Sequence, residues 1–279
     1  MITFADLIVG EKFVQAADFV FSREYEFDYH KLENTFDVSK LKDINVVYLH
    51  TVFKDDFFRL IRGLPHQFIV ISHNCDTNVI CADMPPNVIR WFSQNVAVRD
   101  DRLESLPIGL ENSRWFPEVD KKRKILVKIQ TNKSIKNVVY MNHNIATNEC
   151  ERSHPYELLS NKSFVTTRMG LNPYNFDQYL DDLHSHQFVV SPAGNGIDTH
   201  RKWEALYVGT IPIEKRCVNS VFYEDLPICL IDDWEQVTEE FLESEYRRIT
   251  CTIWNLEKLK MSWWLHHIQS ARQFSQTNS

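Results

Sequence analysis

An α/β fold built from two blocks of alternating strands and helices is what this sequence predicts, and three observations carry the prediction. Short apolar runs rich in Val, Ile and Phe recur along the chain, separated by stretches with helical spacing. The alternation breaks once, in the proline-containing basic stretch from Trp115 to Lys136, and then restarts. With 279 residues the chain is long enough for one large or two medium domains, each with a core of its own. Strands alternating with helices make βαβ units and parallel sheets. Two such blocks read as two Rossmann-like domains, residues 1–118 and 119–255.

In the first block, helical spacing over Phe13–Phe21 and Asp55–Arg62 accompanies strand-like runs at Asn45–His50, Gln67–His73, Val88–Phe92 and Ser105–Gly109. The break between blocks reads as a linker with a solvated face and at most one helix. After it, a strand at Asn137–Met141 precedes a helix over Cys150–Leu159, and a strand at Phe164–Arg168 precedes a helix over Asn175–His184. Strand Gln187–Ser191, helix Asp198–Tyr207 and strands Thr210–Glu214 and Pro227–Asp232 follow, then one helical segment, Trp234–Arg248. The stretch 256–274 places Leu256, Leu259, Trp263, Trp264, Ile268 and Ala271 at helical spacing. That apolar face is expected to pack back across the first block.

Composition narrows the functional classes. Apolar content of 43% with 25% charged residues is that of a globular protein, not a disordered one. A net charge of −7 provides no bulk attraction to nucleic acid or to an anionic membrane, so any anion site must be built locally. The six cysteines form no Cys-x-x-Cys pair, and Cys217 and Cys229, in or beside apolar runs, read as buried thiols. No run approaches the ~20 apolar residues of a membrane span, and no signal-like apolar segment follows Met1. The expectation is a soluble, cytoplasmic protein with neither a nucleic-acid partner nor a membrane span.

The most informative stretch is "SPAGNGIDTHRKWEALYVGTIPI", residues 191–213, which holds three of the chain's 7 glycines. It reads as the end of a buried strand, a glycine turn and an amphipathic helix capped by Asp198 or Thr199. Ligands of open α/β sheets bind outside the carboxyl ends of the strands, where such a turn lies. The helix N-terminus suits phosphate, and cations in the first turn, His200 and Arg201, are unfavourable to the helix dipole unless an anion is bound. Glu204, one turn on, is placed to accept hydrogen bonds from ribose hydroxyls. Gly194-x-Gly196 also matches half of a dinucleotide fingerprint, with Glu214 as the acidic ribose ligand, so spacing alone leaves a nucleotide sugar and NAD both open.

The same stretch, followed by "LPICLIDDWEQV", resembles the signature of exostosin-like glycosyltransferases (family 47). The pieces "ISHNCD", "WFSQNV", "LPIGLENS" and "NHNIATNECER" are similar to a compact, membrane-free branch of that family with viral members. The resemblance implies a GT-B fold, two Rossmann-like domains facing across a cleft. It implies inverting transfer of a sugar from a UDP-sugar, UDP-xylose favoured, to an oligosaccharide hydroxyl, with no essential metal or other cofactor. Such a transfer is one in-line displacement that needs a base for the acceptor and positive charge for the leaving diphosphate. The diphosphate is assigned to His200, Arg201, Arg152 and the loop Ser191, Gly194, Asn195 and Gly196, and the ribose to Glu204. Asn74, Asn142, Thr147 and Asp198 are candidate donor or acceptor contacts. Asp76, at the polar tip of a buried strand, is the first choice of base, then His73, then Glu111. Trp91, Trp115 and Tyr174 are candidate sugar platforms, with core packing the stronger reading for each. A non-catalytic glycan-binding relative of the fold is the remaining alternative.

Overall fold

The computed structural model describes residues 2–23, 32–81, 83–113, 119–168 and 175–277. Ten strands form two all-parallel sheets of five. The first contains β1 (Phe19–Phe21), β2 (Ile44–His50), β3 (Gln67–His73), β4 (Val88–Ser93) and β5 (Leu103–Ser105), side by side in chain order. Helix α1 (Lys54–Ile61) connects β2 to β3. Helix α2 (Val119–Gln130) leads to the second sheet, whose strands are β6 (Asn137–Met141), β7 (Val165–Thr167), β8 (His186–Val190), β9 (Ile211–Lys215) and β10 (Cys229–Ile231). Between them lie α3 (Glu149–Leu159), α4 (Phe176–Ser185) and α5 (His200–Tyr207), and after them α6 (Glu239–Thr250) and α7 (Met261–Thr277).

The second sheet runs β10-β9-β8-β6-β7. Its first strand, β6, is flanked by β7 and β8, so the chain reverses direction across the sheet between β6 and β8. Such a switch point opens a crevice at the strands' carboxyl ends. There the glycine turn follows β8, and the loop carrying Asn142 follows β6.

Alternation along each strand divides the core. Val47 and Leu49 of β2 pack in a cluster whose buried members all belong to the first half, with Val218 and Phe222 of the second half at its margin, while Val46 and Tyr48 face the other way. In the second sheet Val139, Met141, Phe188 and Val190 form a private cluster, and Tyr140 and Val189 face the other way. The two opposite faces meet in one continuous cluster that also takes in Trp203, Tyr223, Trp264 and Ile268. The halves are therefore joined through a shared apolar core.

Several local expectations change. Phe13–Phe21 is not a helix: a 3-10 helix spans Gly10–Ala16, and Phe19–Phe21 pairs with the open edge of β2. Backbone pairing along that edge outweighs a helical period carried by only nine residues. The strand expected at Ser105–Gly109 lies earlier, at Leu103–Ser105, and the chain leaves the sheet before Gly109, whose φ is +68°. Trp234–Arg248 is two elements, a 3-10 turn capped by Asp233 and then α6 capped by Thr238. The expected linker carries α2, with Ile125 fully buried and Lys124 paired with Asp177 of α4 at 2.9 Å. Cys229 is buried, but Cys217 is only half-buried and Cys81, Cys150 and Cys251 are exposed. Trp91 is core, its indole N–H donating to Ser72 at 2.8 Å; Trp115 and Tyr174 lie outside the described residues.

The C-terminal helix lies against the first half. Arg272 pairs with Asp18 at 3.0 Å, and His267 meets Glu104 of β5 at 2.6 Å. Among the described residues no helix is long and apolar enough to cross a membrane.

Candidate active site

A cavity of about 820 Å³ opens at the switch point of the second sheet, within the ~300–1,000 Å³ usual for small-molecule sites. Most of the residues singled out from the sequence meet in it. Asp76 and Glu111 come from strand-end loops of the first half. Asn142, Thr147 and Arg152 come from the segment after β6. Gly194, Asn195, Gly196, Asp198, His200, Arg201 and Glu204 come from the glycine loop and α5.

Two arginines define its character. Arg152 is buried in α3, its Nε donating to the Ala193 carbonyl at 2.9 Å and Nη1 to the Asn144 carbonyl at 2.8 Å. Arg201 donates from Nε to the Asn142 amide oxygen at 3.2 Å. Burial, then the neighbouring charge of Arg201, pull the Arg152 guanidinium down to about 10. Among the described residues neither arginine has a carboxylate partner within 4.0 Å. Two neighbouring cations on one cavity wall, without a carboxylate partner, are chemically suited to hold an anion.

Glu204, on the same helix, is 8% exposed and accepts the Tyr179 hydroxyl at 2.5 Å. Its carboxylate is thus held in place on the cavity wall.

His200 does not carry out the role assigned to it. Its Nδ1 lies 2.8 Å from the Gly109 carbonyl and its Nε2 3.2 Å from Glu111 Oε2, both in the first half. Burial alone would favour the neutral ring, but Glu111, the Gly109 carbonyl and Glu204 outweigh it and hold the imidazole up to about 9. An imidazolium with both N–H groups donated to the first half fastens the halves together and leaves no donor for a phosphate.

The base candidates also separate. His73 is 1% exposed, stacked on Phe13 with ring centroids 5.0 Å apart. Its Nδ1 accepts the Asn74 backbone N–H at 2.8 Å, which places the ring proton on Nε2, 3.0 Å from the Pro107 carbonyl. Burial drives its pKa down to about 4, so the ring is a neutral packing element and does not line the cavity. Asn74 is likewise outside the cavity, its side chain held by Tyr48 at 2.8 Å and Asn112 at 3.0 Å. Glu111 reaches the cavity but is occupied by the His200 imidazolium. Asp76 is exposed to the cavity, where the Asn195 amide donates to it at 3.2 Å.

Asp198 lines the cavity but its carboxylate is spent on the protein. It accepts from the Ile108 N–H at 2.9 Å, from Trp203 Nε1 at 3.0 Å and from Lys202 at 2.7 Å. Ser191 is buried beside Thr199 and does not line this cavity.

The glycines have a cause other than ligand approach. A Cβ on Gly196 would lie 2.4 Å from the Asn95 amide of the first half, and one on Gly194 would lie 2.9 Å from Arg152 Nη2. Asn95, in the left-handed region at φ 57°, also accepts the Asp198 N–H at 2.9 Å. The loop is glycine-rich because side chains of this protein press against it.

Sequence reading missed His143, Arg168, Phe176 and Tyr179, all on the wall of the cavity. His143 is fully buried, its Nε2 3.0 Å from the Arg152 carbonyl, and burial lowers its pKa to about 4. Its position directly after Asn142 was the available signal. Phe176 and Tyr179 look like ordinary helix-face residues, and nothing in their spacing marks them. One group of three potential metal ligands among the described residues, His154, Asp233 and Glu235, is exposed and outside the cavity. The chain matches no protein-family model and no curated protein.

Proposed function

We propose that this protein is an inverting, nucleotide-sugar-dependent glycosyltransferase of GT-B type, with a UDP-sugar as donor and UDP-xylose the favoured one. The observation that carries the reading is the pair Arg152 and Arg201, cations without a carboxylate partner at the switch point of a parallel sheet, with Asp76 of the other half on the same cavity. The resemblance of the glycine loop to exostosin-like enzymes points the same way.

In this reading the two guanidinium groups hold the diphosphate and stabilise the charge that grows on it as the glycosidic bond breaks. Glu204, fixed by Tyr179, accepts from the ribose hydroxyls. Asp76 takes the proton of the acceptor hydroxyl as its oxygen attacks the anomeric carbon from the face opposite the leaving group. Asp76 is preferred because its cavity contact is a neutral amide, whereas Glu111 is paired with a cation that weakens it as a base. The dinucleotide alternative loses its acidic ligand, since Glu214 does not line this cavity.

The test is a thermal-shift and UDP-release screen across nucleotide sugars and NAD(H). UDP should stabilise the protein, and Arg201→Ala should weaken that binding by about 10–100-fold, the worth of a charge-assisted hydrogen bond. Asp76→Asn should lower turnover by about 10²–10⁴-fold while UDP binding is retained. Indifference to every uridine nucleotide would sink the proposal, and full turnover in Asp76→Asn would move the base elsewhere.

A further inference from the structure

The glycine loop has a second cavity on its other face. It measures about 220 Å³ and lies at the carboxyl ends of β8 and β9, between Ser191 and Glu214. That volume is below the ~300 Å³ at which sites for drug-sized ligands begin, so it suits a single small group. Pro192, Ala193 and Ile197 wall it, whereas Gly194 to Gly196 line the large cavity.

Four polar side chains on its wall are buried: Ser191, Lys202, Asn219 and Ser220. Lys202, 1% exposed, holds Asp198 at 2.7 Å and reaches Glu214 only at 3.5 Å. Asn219, also 1% exposed, accepts from Ser105 Oγ at 2.5 Å through its amide oxygen. Its amide nitrogen has no hydrogen-bond partner among the described residues. That nitrogen is not one of the fully enclosed side-chain atoms left without a partner, so it is open to the cavity that Asn219 lines, and a ligand there could accept from it. Burial, opposed by Lys202 and reinforced by Asp198, pushes Glu214 up to about 7, so it carries an O–H below neutrality and a negative charge above it. The other charged or titratable groups around Glu214 are Lys215 and Arg216 next along its chain, Cys217, and Glu151 of α3. Arg216 is already engaged with Glu224 at 2.8 Å and Asp232 at 3.5 Å.

We infer that this second cavity binds a small oxoanion, a phosphate or carboxylate group, held by the Asn219 amide and the Lys202 ammonium. An occupant bears on Ser191 to Ala193 from behind the segment that lines the large cavity, so the two sites are coupled through one loop. The inference does not depend on what the large cavity binds.

The experiment uses sulfate as the tetrahedral probe and acetate as the planar one, against chloride at equal ionic strength. Neither probe titrates between pH 6 and 8. Titrations are made on Arg201→Ala protein, in which the anion site of the large cavity is impaired. At least one probe should bind at pH 6, and the one preferred tells a phosphate-type from a carboxylate-type ligand. Adding Asn219→Asp, which keeps the oxygen toward Ser105 but replaces the free amide with a charge, should weaken binding at least tenfold. If that variant does not fold, Glu214→Gln replaces it in the comparison. Binding should then fall severalfold from pH 6 to pH 8 with Glu214 present and stay level with the glutamine. Failure of both probes to bind overturns the inference. So does binding unchanged by Asn219→Asp or, in the second comparison, a pH response that Glu214→Gln does not alter.

Discussion

At the scale of single residues, the decisive fact about His200 is its partners and not its position in a helix. Its pKa is raised, so the pair with Glu111 contributes stability in full below the ring's ordinary pKa of 6.5. That contribution is lost as pH rises through about 9. Urea titrations at pH 7 and pH 9.5 should therefore show a loss of about 1–3 kcal/mol, and Glu111→Gln should remove most of that difference. A pH response identical in Glu111→Gln and wild type would show that the pair does not hold the halves together. The residue types were legible in the sequence: Arg152, Arg201, Glu204 and Asp76 all reached the cavity they were expected in. His73, Asn74 and Ser191 were not, because each ends a buried strand or lies just past one. Only tertiary packing decides whether such a tip turns outward to solvent or inward to Phe13, Tyr48 and Thr199.

At the scale of the element, the loop between β8 and α5 is a joint between the halves as well as a wall of the large cavity. Ile197 donates its N–H to Asn78 at 3.2 Å, and Asp198 ties both to Asn95 and to the backbone of Ile108. Gly196→Ala should cost about 1–3 kcal/mol, the usual penalty of overpacking, because the added carbon meets Asn95. Gly194→Ala meets Arg152 Nη2, the one guanidinium nitrogen without a hydrogen bond, at 2.9 Å, so it should cost less stability than Gly196→Ala while weakening anion binding through Arg152. Equal melting temperatures for the two variants would refute the distinction. The strands with steady apolar runs, β2, β3, β6 and β8, were legible to within a residue or so. Of the three-residue strands, β7 and β10 lie inside the runs expected for them, whereas β1 and β5 do not, since those two owe their existence to a neighbouring edge and not to their own pattern.

At the scale of the whole molecule, the shared cluster makes the two sheets one cooperative body. Trp264, 1% exposed on the C-terminal helix, packs edge-on against Tyr223 of the second half, while its helix reaches Asp18 of the first. Trp264→Ala should cost about 3–5 kcal/mol and leave a single unfolding transition, with probes in both halves reporting the same midpoint. Two separated transitions in the wild-type protein would contradict a common core.

What the sequence determined by itself was the alternation of strand and helix, the parallel character of both sheets and the glycine loop after β8 that lines the large cavity. Those properties follow from local periodicity and backbone chemistry, which a single chain displays without knowledge of its neighbours. Tertiary structure alone decided the strand order that puts the switch point between β6 and β8. It also decided the turning of His200 and Asp198 toward the first half, and the division of one loop between two cavities. Each of these depends on contacts between residues about 90 or more positions apart or on the order in which strands pair, and no spacing along the chain encodes either.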